Sequence, residues 1–429
     1  MRRKMKDSDV EWIGKIPESW EVVSLKRNYR IISGATPKSD NIENWDGEIA
    51  WITPSDYKSE DKYVSSGKKS ITKKGYNSCS TTMVPANSIV FSKRAPVGTV
   101  AISANDLCTN QGCLSCVPIN EANAVFGYYS MLSGKHAFEM AAQGTTFMEI
   151  SAYAFANTKL PYCNATEQRQ TVHFLDRKCT AIDTAIEKTK KSIEKLEEYK
   201  KAVITKAVTK GIDPNAKMKD SGVEWIGLIP EGWDVKQLRT YFSRRINKNT
   251  HLQENNLLSL SYGRIIRKNI DTKEGLLPES FDGYNIVEDG DIVIRGTDLQ
   301  NDHRSLRTGL VTERGIITSA YITLRPKEDV NSTYYHYLLH CYDILKVFYS
   351  MGGGLRQSLD YWEFIRMPIL HPTDREQEEI ISYIKTKCTA IDTAIEKKKK
   401  AIEKWEEYKK SLIYYAVTGK IDCRNEVIE

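Results

Sequence analysis

The string KCTAIDTAIEK occupies residues 178–188 and returns unchanged at residues 387–397. The repetition extends well beyond it. Residues 178–213 and 387–422 agree at 27 of 36 positions, and residues 5–27 and 218–240 agree at 15 of 23. A chain that contains itself twice folds as two like units, and this limits the architecture before any other reading. The stretches between, 28–177 and 241–386, share only scattered points. Gly144, Phe155, Glu167 and Gln168 fall in register with Gly353, Phe364, Glu376 and Gln377. An old duplication with uneven drift is one account. A symmetric frame carrying two heads of different specificity explains better why whole blocks were spared.

The repeated segment reads as a helix. Ile182, Ile186, Ile193 and Leu196 recur at spacings of three, four or seven, as do Ile391, Ile395, Ile402 and Trp405. That is a heptad-like seam with charged flanks. Thr189 and Lys200 interrupt the first stripe, and Lys398 and Lys409 the second. Thr373-x-x-Glu376 is a capping-box start, and Asn164-x-x-Glu167 is a variant of it. Each helix spans roughly 45 residues, on the order of 65 Å. A stripe of that length needs a cover, and its own copy is the simplest one. Antiparallel pairing would relate the units by a pseudo-two-fold axis and make the helices a ruler between the heads. Duplex DNA, whose major groove returns to one face every ~34–36 Å, suits such a frame. A coiled-coil interaction arm without a DNA role is the competing reading.

Composition narrows the partners. Lys+Arg total 62 against 56 Asp+Glu, a formal net charge of +6 over 429 residues, which permits a nucleic-acid partner without requiring one. No run of 18 apolar residues suggests a membrane span. The charged start Met1–Lys4 is not followed by an apolar signal core. Nine cysteines, an odd number, fit a reducing cytoplasm better than a disulfide framework.

The inserts read as α+β. Strand-like runs lie at 48–53, 88–91, 98–102, 291–294 and 320–324, with helices near 126–132 and 334–339. In the second insert the turn-rich stretch 295–307 combines Arg295, Arg304 and Arg307 with Gln300 and Asn301. Arg can donate twice to guanine, and Gln or Asn can pair with adenine, in the major groove. Lys38, Lys93 and Arg94 suit phosphates in the first insert. Asn110, Gln111, Thr145, Arg264 and Arg356 complete the candidate DNA contacts.

Other motifs mislead. Cys108-x4-Cys113-x2-Cys116 has iron–sulfur spacing, but a strand there puts Cys113 and Cys116 on opposite faces. His336 and His340 stand one helical turn apart without the Glu of an HExxH site, so a structural role and no metal site is expected. Gly352-Gly-Gly354 precedes no Gly-Lys-Ser/Thr, and no glycine-rich cofactor loop, Asn-Pro-Pro-Phe/Tyr motif or acid–base pair is found. The chain reads as a binder. An adenine methyltransferase with its own cofactor pocket remains the enzymatic alternative.

An ordered series of strings then carries a family resemblance. It runs SGATP at 33–37, WDGEIAWIT at 45–53, RAPVG at 94–98, TNQG at 109–112, GTTFMEIS at 144–151, and Glu167-Gln168 before a long helix; EWIGxIPExW opens both units. The series resembles the DNA-specificity subunit of type I restriction–modification systems over nearly the whole chain. The second head departs from it, with YNIV at 284–287, GDIV at 290–293 and GIITSAY at 315–321 in place of those strings.

The resemblance implies an α+β chain of two α/β target-recognition domains joined by two long helices in an antiparallel coiled coil. The segments would be 1–165 and 214–373 for the heads, 166–213 and 374–422 for the helices, and 423–429 for a tail. It also implies a non-catalytic cytoplasmic subunit that reads one half of a bipartite double-stranded DNA site with each head. Two methyltransferase subunits and ATP-driven restriction subunits would be its partners, with no membrane. S-adenosylmethionine, ATP and Mg2+ would be used by those partners and none bound by this chain.

Overall fold

The computed structural model describes residues 3–58, 60–142, 148–270, 278, 280–299, 306–353 and 358–426. Two long helices, Ala165–Lys210 and Asp374–Val417, run through the repeated segments. The chain forms two compact units. One comprises residues 1–189 with 400–429, the other residues 190–399. Each unit therefore holds one head, the start of one long helix and the end of the other.

In the first unit a five-stranded sheet carries the head. Its order is Tyr29–Ser33, Cys113–Pro118, Ile89–Ser92, Val100–Ser103 and Tyr63–Val64. Alternation sends Ile89, Phe91, Val100, Ile102, Leu114 and Cys116 to one core, and Val90, Ala101, Cys113 and Val117 to another. The first core is shared with Leu175, Cys179, Ile182 and Ile186 of the first long helix and Leu412, Ile413, Ala416 and Val417 of the second. A three-stranded sheet of Cys108–Thr109, Trp45–Ile52 and Lys69–Ile71 completes the head.

The second unit repeats the plan. Phe242–Arg244, Ile322–Pro326, Ile292–Ile294 and Thr308–Leu310 form a four-stranded sheet, antiparallel throughout. Ile292, Ile294 and Leu324 share a core with Ile204, Ala207 and Val208 of one long helix and Ile380, Ile381 and Ile384 of the other. Val293 faces the opposite side, with Leu258, Val287, Val311 and Ile317.

The opening motif explains its own repetition. Trp20 and Trp233 are both 1% exposed. Their indole N–H groups donate to Glu167 at 2.7 Å and Glu376 at 3.1 Å, the acidic residues that start the long helices. The starts are capped as expected: Asn164 Oδ1 accepts from Glu167 N at 2.9 Å, and Thr373 Oγ1 and Glu376 satisfy each other's ends. Gln168 and Gln377 each donate back to a carbonyl five residues earlier, at 2.7 and 3.0 Å.

Within each unit the helices are antiparallel. Lys409 Nζ lies 2.7 Å from Asp183 and Lys200 Nζ 2.7 Å from Asp392, the same pair in both copies. Lys200 and Lys409, which interrupt the stripes, are thus interhelical partners. The seam is uneven. Ile182, Ile186, Ile391 and Ile395 are buried, whereas Ile193, Leu196 and Ile402 are half-buried. Trp405 departs from the expected seam: it is 40% exposed and meets Tyr408 edge-on at 6.2 Å. No residue from 187 to 202 or from 396 to 411 is buried. Near the helix ends the head closes over the seam. Trp405, outside those buried ends, is left on the flank.

Candidate nucleic-acid interface

In the first head, strings far apart in sequence become one hydrogen-bonded ridge. The strand Tyr29–Ser33 ends at Gly34, where a Cβ would stand 2.2 Å from the Thr109 carbonyl oxygen, so only glycine fits. Ala35 N donates to Thr109 O at 3.0 Å, and Trp51 Nε1 donates to Ala35 O at 3.0 Å. Asn110 Oδ1 accepts from Gly112 N at 2.9 Å, a turn that presents Gln111 to solvent beside Thr36, with which it is hydrogen-bonded. Gly112 O accepts from Lys93 N, and Lys93 O from Ile150 N, both at 3.0 Å.

The basic candidates differ in freedom. Lys93 and Arg94 both bind Glu149, each at 2.9 Å. The hydrogen bond from Lys93, with help from Arg94, holds the Glu149 carboxyl below its ordinary range. The trio retains one net positive charge on the ridge. Lys38 is exposed, and its carbonyl accepts from Asn44 Nδ2 and Trp45 Nε1 at 3.1 and 3.3 Å. Asn110 acts chiefly as the turn former, while Gln111 and Thr36 are exposed. Thr36 was not singled out from sequence; its signal was its place in the SGATP string.

In the second head the reading of Arg307 as a DNA contact is corrected. Arg307 is 0% exposed. Its guanidinium donates to the carbonyls of Arg295, Thr297 and Asp298 at 3.1, 2.7 and 3.0 Å and to Tyr349 Oη at 3.2 Å. Its backbone N–H donates to Asp343. Planar, always charged and rich in donors, it holds the turn from inside. Arg295, half-buried, contributes backbone bonds to the same turn. Arg264 is exposed on the hairpin of Leu258–Ser261 and Arg264–Arg267. Thr145, Gln300, Asn301, Arg304 and Arg356 lie outside the described residues.

The tempting motifs resolve into packing. Cys108, Cys113 and Cys116 sit in three different apolar clusters, and burial pushes the Cys108 and Cys113 thiols up to about 11 and about 12. His340 Nδ1 is 3.1 Å from Thr308 Oγ1. Among the described residues no group of three or more His, Cys, Asp or Glu could hold a metal ion. No helix among them is long and apolar enough to cross a membrane.

Residues 17–198 match the family model described as the type I restriction modification DNA specificity domain. Over that span the chain is similar to the specificity subunits of type I restriction–modification systems. It is 24% identical to the type I restriction enzyme MjaVIII specificity subunit of Methanocaldococcus jannaschii over 96% of this chain and 95% of that one. It is 33% identical to the MjaIX specificity subunit of the same organism, over 53% of this chain and 52% of the relative. The fold is similar to a chain solved in work on complex assembly and conformational transition of the type I R-M system. The TM-score is 0.69 at 14% identity, covering 95% of this chain and 99% of that one. Specificity subunits of this family are generally non-catalytic, and their role is DNA recognition.

Proposed function

We propose that each head of this specificity subunit reads its own half of a bipartite double-stranded DNA site, with the helices setting the spacer. One observation carries this: the two heads share a sheet order while their sequences have parted, and the frame beneath them has not. Methyltransferase subunits, two per chain, dock along the helices, which leave Trp405 and Tyr408 exposed in one unit and Tyr199 in the other. Those subunits use S-adenosylmethionine to methylate adenine. Restriction subunits that use ATP and Mg2+ add translocation and cleavage. This chain binds none of the three cofactors and works in the cytoplasm.

The test is methylation-aware sequencing of DNA exposed to the full complex. Replacing residues 241–372 with the matching part of another specificity subunit is expected to change one half of the methylated motif and keep the other. A change in both halves would refute independent reading.

A further inference from the structure

The second head carries a hairpin in which Leu258–Ser261 pairs with Arg264–Arg267, leaving a two-residue turn of Tyr262 and Gly263. Both have positive φ, 45° and 76°. That is the pattern of a type I′ turn, whose first position favours Asn, Asp or Gly. A tyrosine there is disfavoured because its Cβ crowds the following carbonyl. Burial does not compensate, since Tyr262 is 86% exposed.

The ribbon beneath the tip is firmly held. Leu258 is buried with Val287, Val293, Val311 and Ile317. Gly309 lies so close that a Cβ there would be 2.6 and 2.8 Å from the ends of Leu260 and Ile265. Arg267 Nε donates to both carboxylate oxygens of Glu313 at 2.8 Å. Beyond that base, exposed Arg264 stands beside the tip, and Lys268 is exposed where the ribbon ends. A rigid basic ribbon thus presents one large aromatic ring to solvent, in a backbone that a smaller residue would occupy more comfortably. An outlier of this kind points to a use for the side chain.

We propose that the Tyr262–Gly263 tip is a base-reading element of the second head, placing the Tyr262 ring against a base and Arg264 on a neighbouring phosphate. A two-stranded ribbon fits the major groove. The proposal rests on the DNA-reading role argued above.

The experiment uses the full chain in complex with its methyltransferase subunits. Y262N puts the preferred residue into the turn, so its thermal midpoint is expected to hold or rise. Its affinity for duplex bearing the methylated motif is expected to fall about ten-fold, with one position of the second half-site relaxed and the first half-site intact. R264A is expected to weaken all sequences alike and lower the salt slope by about one. A Y262N complex with unchanged affinity and motif overturns the proposal. So does loss of a methyltransferase subunit with the motif unchanged, which would make the tip a protein contact. A wild-type complex with no two-part motif overturns the DNA-reading role itself, and is seen before any variant is compared.

Discussion

The two heads share a strand order and almost no sequence; the two long helices share most of their sequence from Lys178 and Lys387 onward. In the first head the sheet runs Tyr29–Ser33, Cys113–Pro118, Ile89–Ser92, Val100–Ser103, and in the second Phe242–Arg244, Ile322–Pro326, Ile292–Ile294, Thr308–Leu310. A buried sheet asks only for apolar side chains of suitable volume on each face, which many sequences supply. The helices are constrained twice over. Ile182, Ile186, Asp183 and Lys200 each have a copy on the other helix, and a change in one copy must suit residues of the other. The difference teaches that topology is kept where a shape is needed, and residues are kept where a surface must match itself.

The largest effect that would sharpen this comparison comes from the buried arginine peculiar to the second head. Arg307→Ala removes the guanidinium that donates to three carbonyls and a phenol. We expect the second unit to lose about 3 kcal/mol while the first is unchanged. Chemical denaturation followed by hydrogen exchange in each unit is the measurement. Unaltered stability with weaker DNA binding would return Arg307 to the surface and contradict its burial.

Acid separates the heads more gently. Burial, and for His336 the neighbouring His340, hold these two imidazoles at about 3 and about 4, against an ordinary 6.5. For His340 the Lys200 and Lys201 charges add to burial. The unfolded chain therefore binds protons below pH 6.5 that the folded head refuses. Stability from this source is complete above about 6.5 and drains as pH falls, toward about 4 for His340 and about 3 for His336. At pH 5 the loss is on the order of 2 kcal/mol per histidine. Denaturation midpoints at pH 7.5 and 5 should part for the second unit, and a variant with both histidines replaced by Gln should narrow the gap. A gap of the same size in that variant would assign the acid sensitivity elsewhere.

The frame was legible in the sequence because periodicity and self-repetition are local signals. The capping pair Thr373 and Glu376 and the buried seam at Ile182 and Ile186 follow from pattern; the repetition around Trp20 and Trp233 was visible, but not their bond to the helix starts. Cys113 and Cys116 fell on opposite faces because a strand alternates. The candidate site was less legible. Arginine in a polar turn announces hydrogen bonding, but sequence does not say whether its partners are bases or the turn's own carbonyls; Arg307 chose the latter. Trp405 kept the helical spacing yet lost its cover, since burial depends on what the head places over the seam. Tyr262 did leave a signal. Alternating LSLS and RIIR flank a Tyr-Gly pair where Asn-Gly would be expected, and that mismatch marks a turn with a task.

The smallest predicted effect tests the feature both units hold in common. Lys409 with Asp183, and Lys200 with Asp392, are partly exposed, so each pair contributes only ~0.2–1 kcal/mol. Their value lies in register, since each lysine breaks an apolar stripe at the point where the other helix offers a carboxylate. Asp183→Lys sets two ammonium groups side by side and should lower the stability of the first unit by about 1 kcal/mol. Adding Lys409→Asp recreates the pair reversed and should restore most of the loss. Because the second pair is a copy, Asp392→Lys followed by Lys200→Asp should trace the same cycle in the second unit. Both recoveries should shrink as salt rises, as expected of exposed charges. A double-mutant cycle with no coupling in either unit would mean that the apolar residues alone fix the register, and that the repeated Asp survives for some purpose outside the pairing.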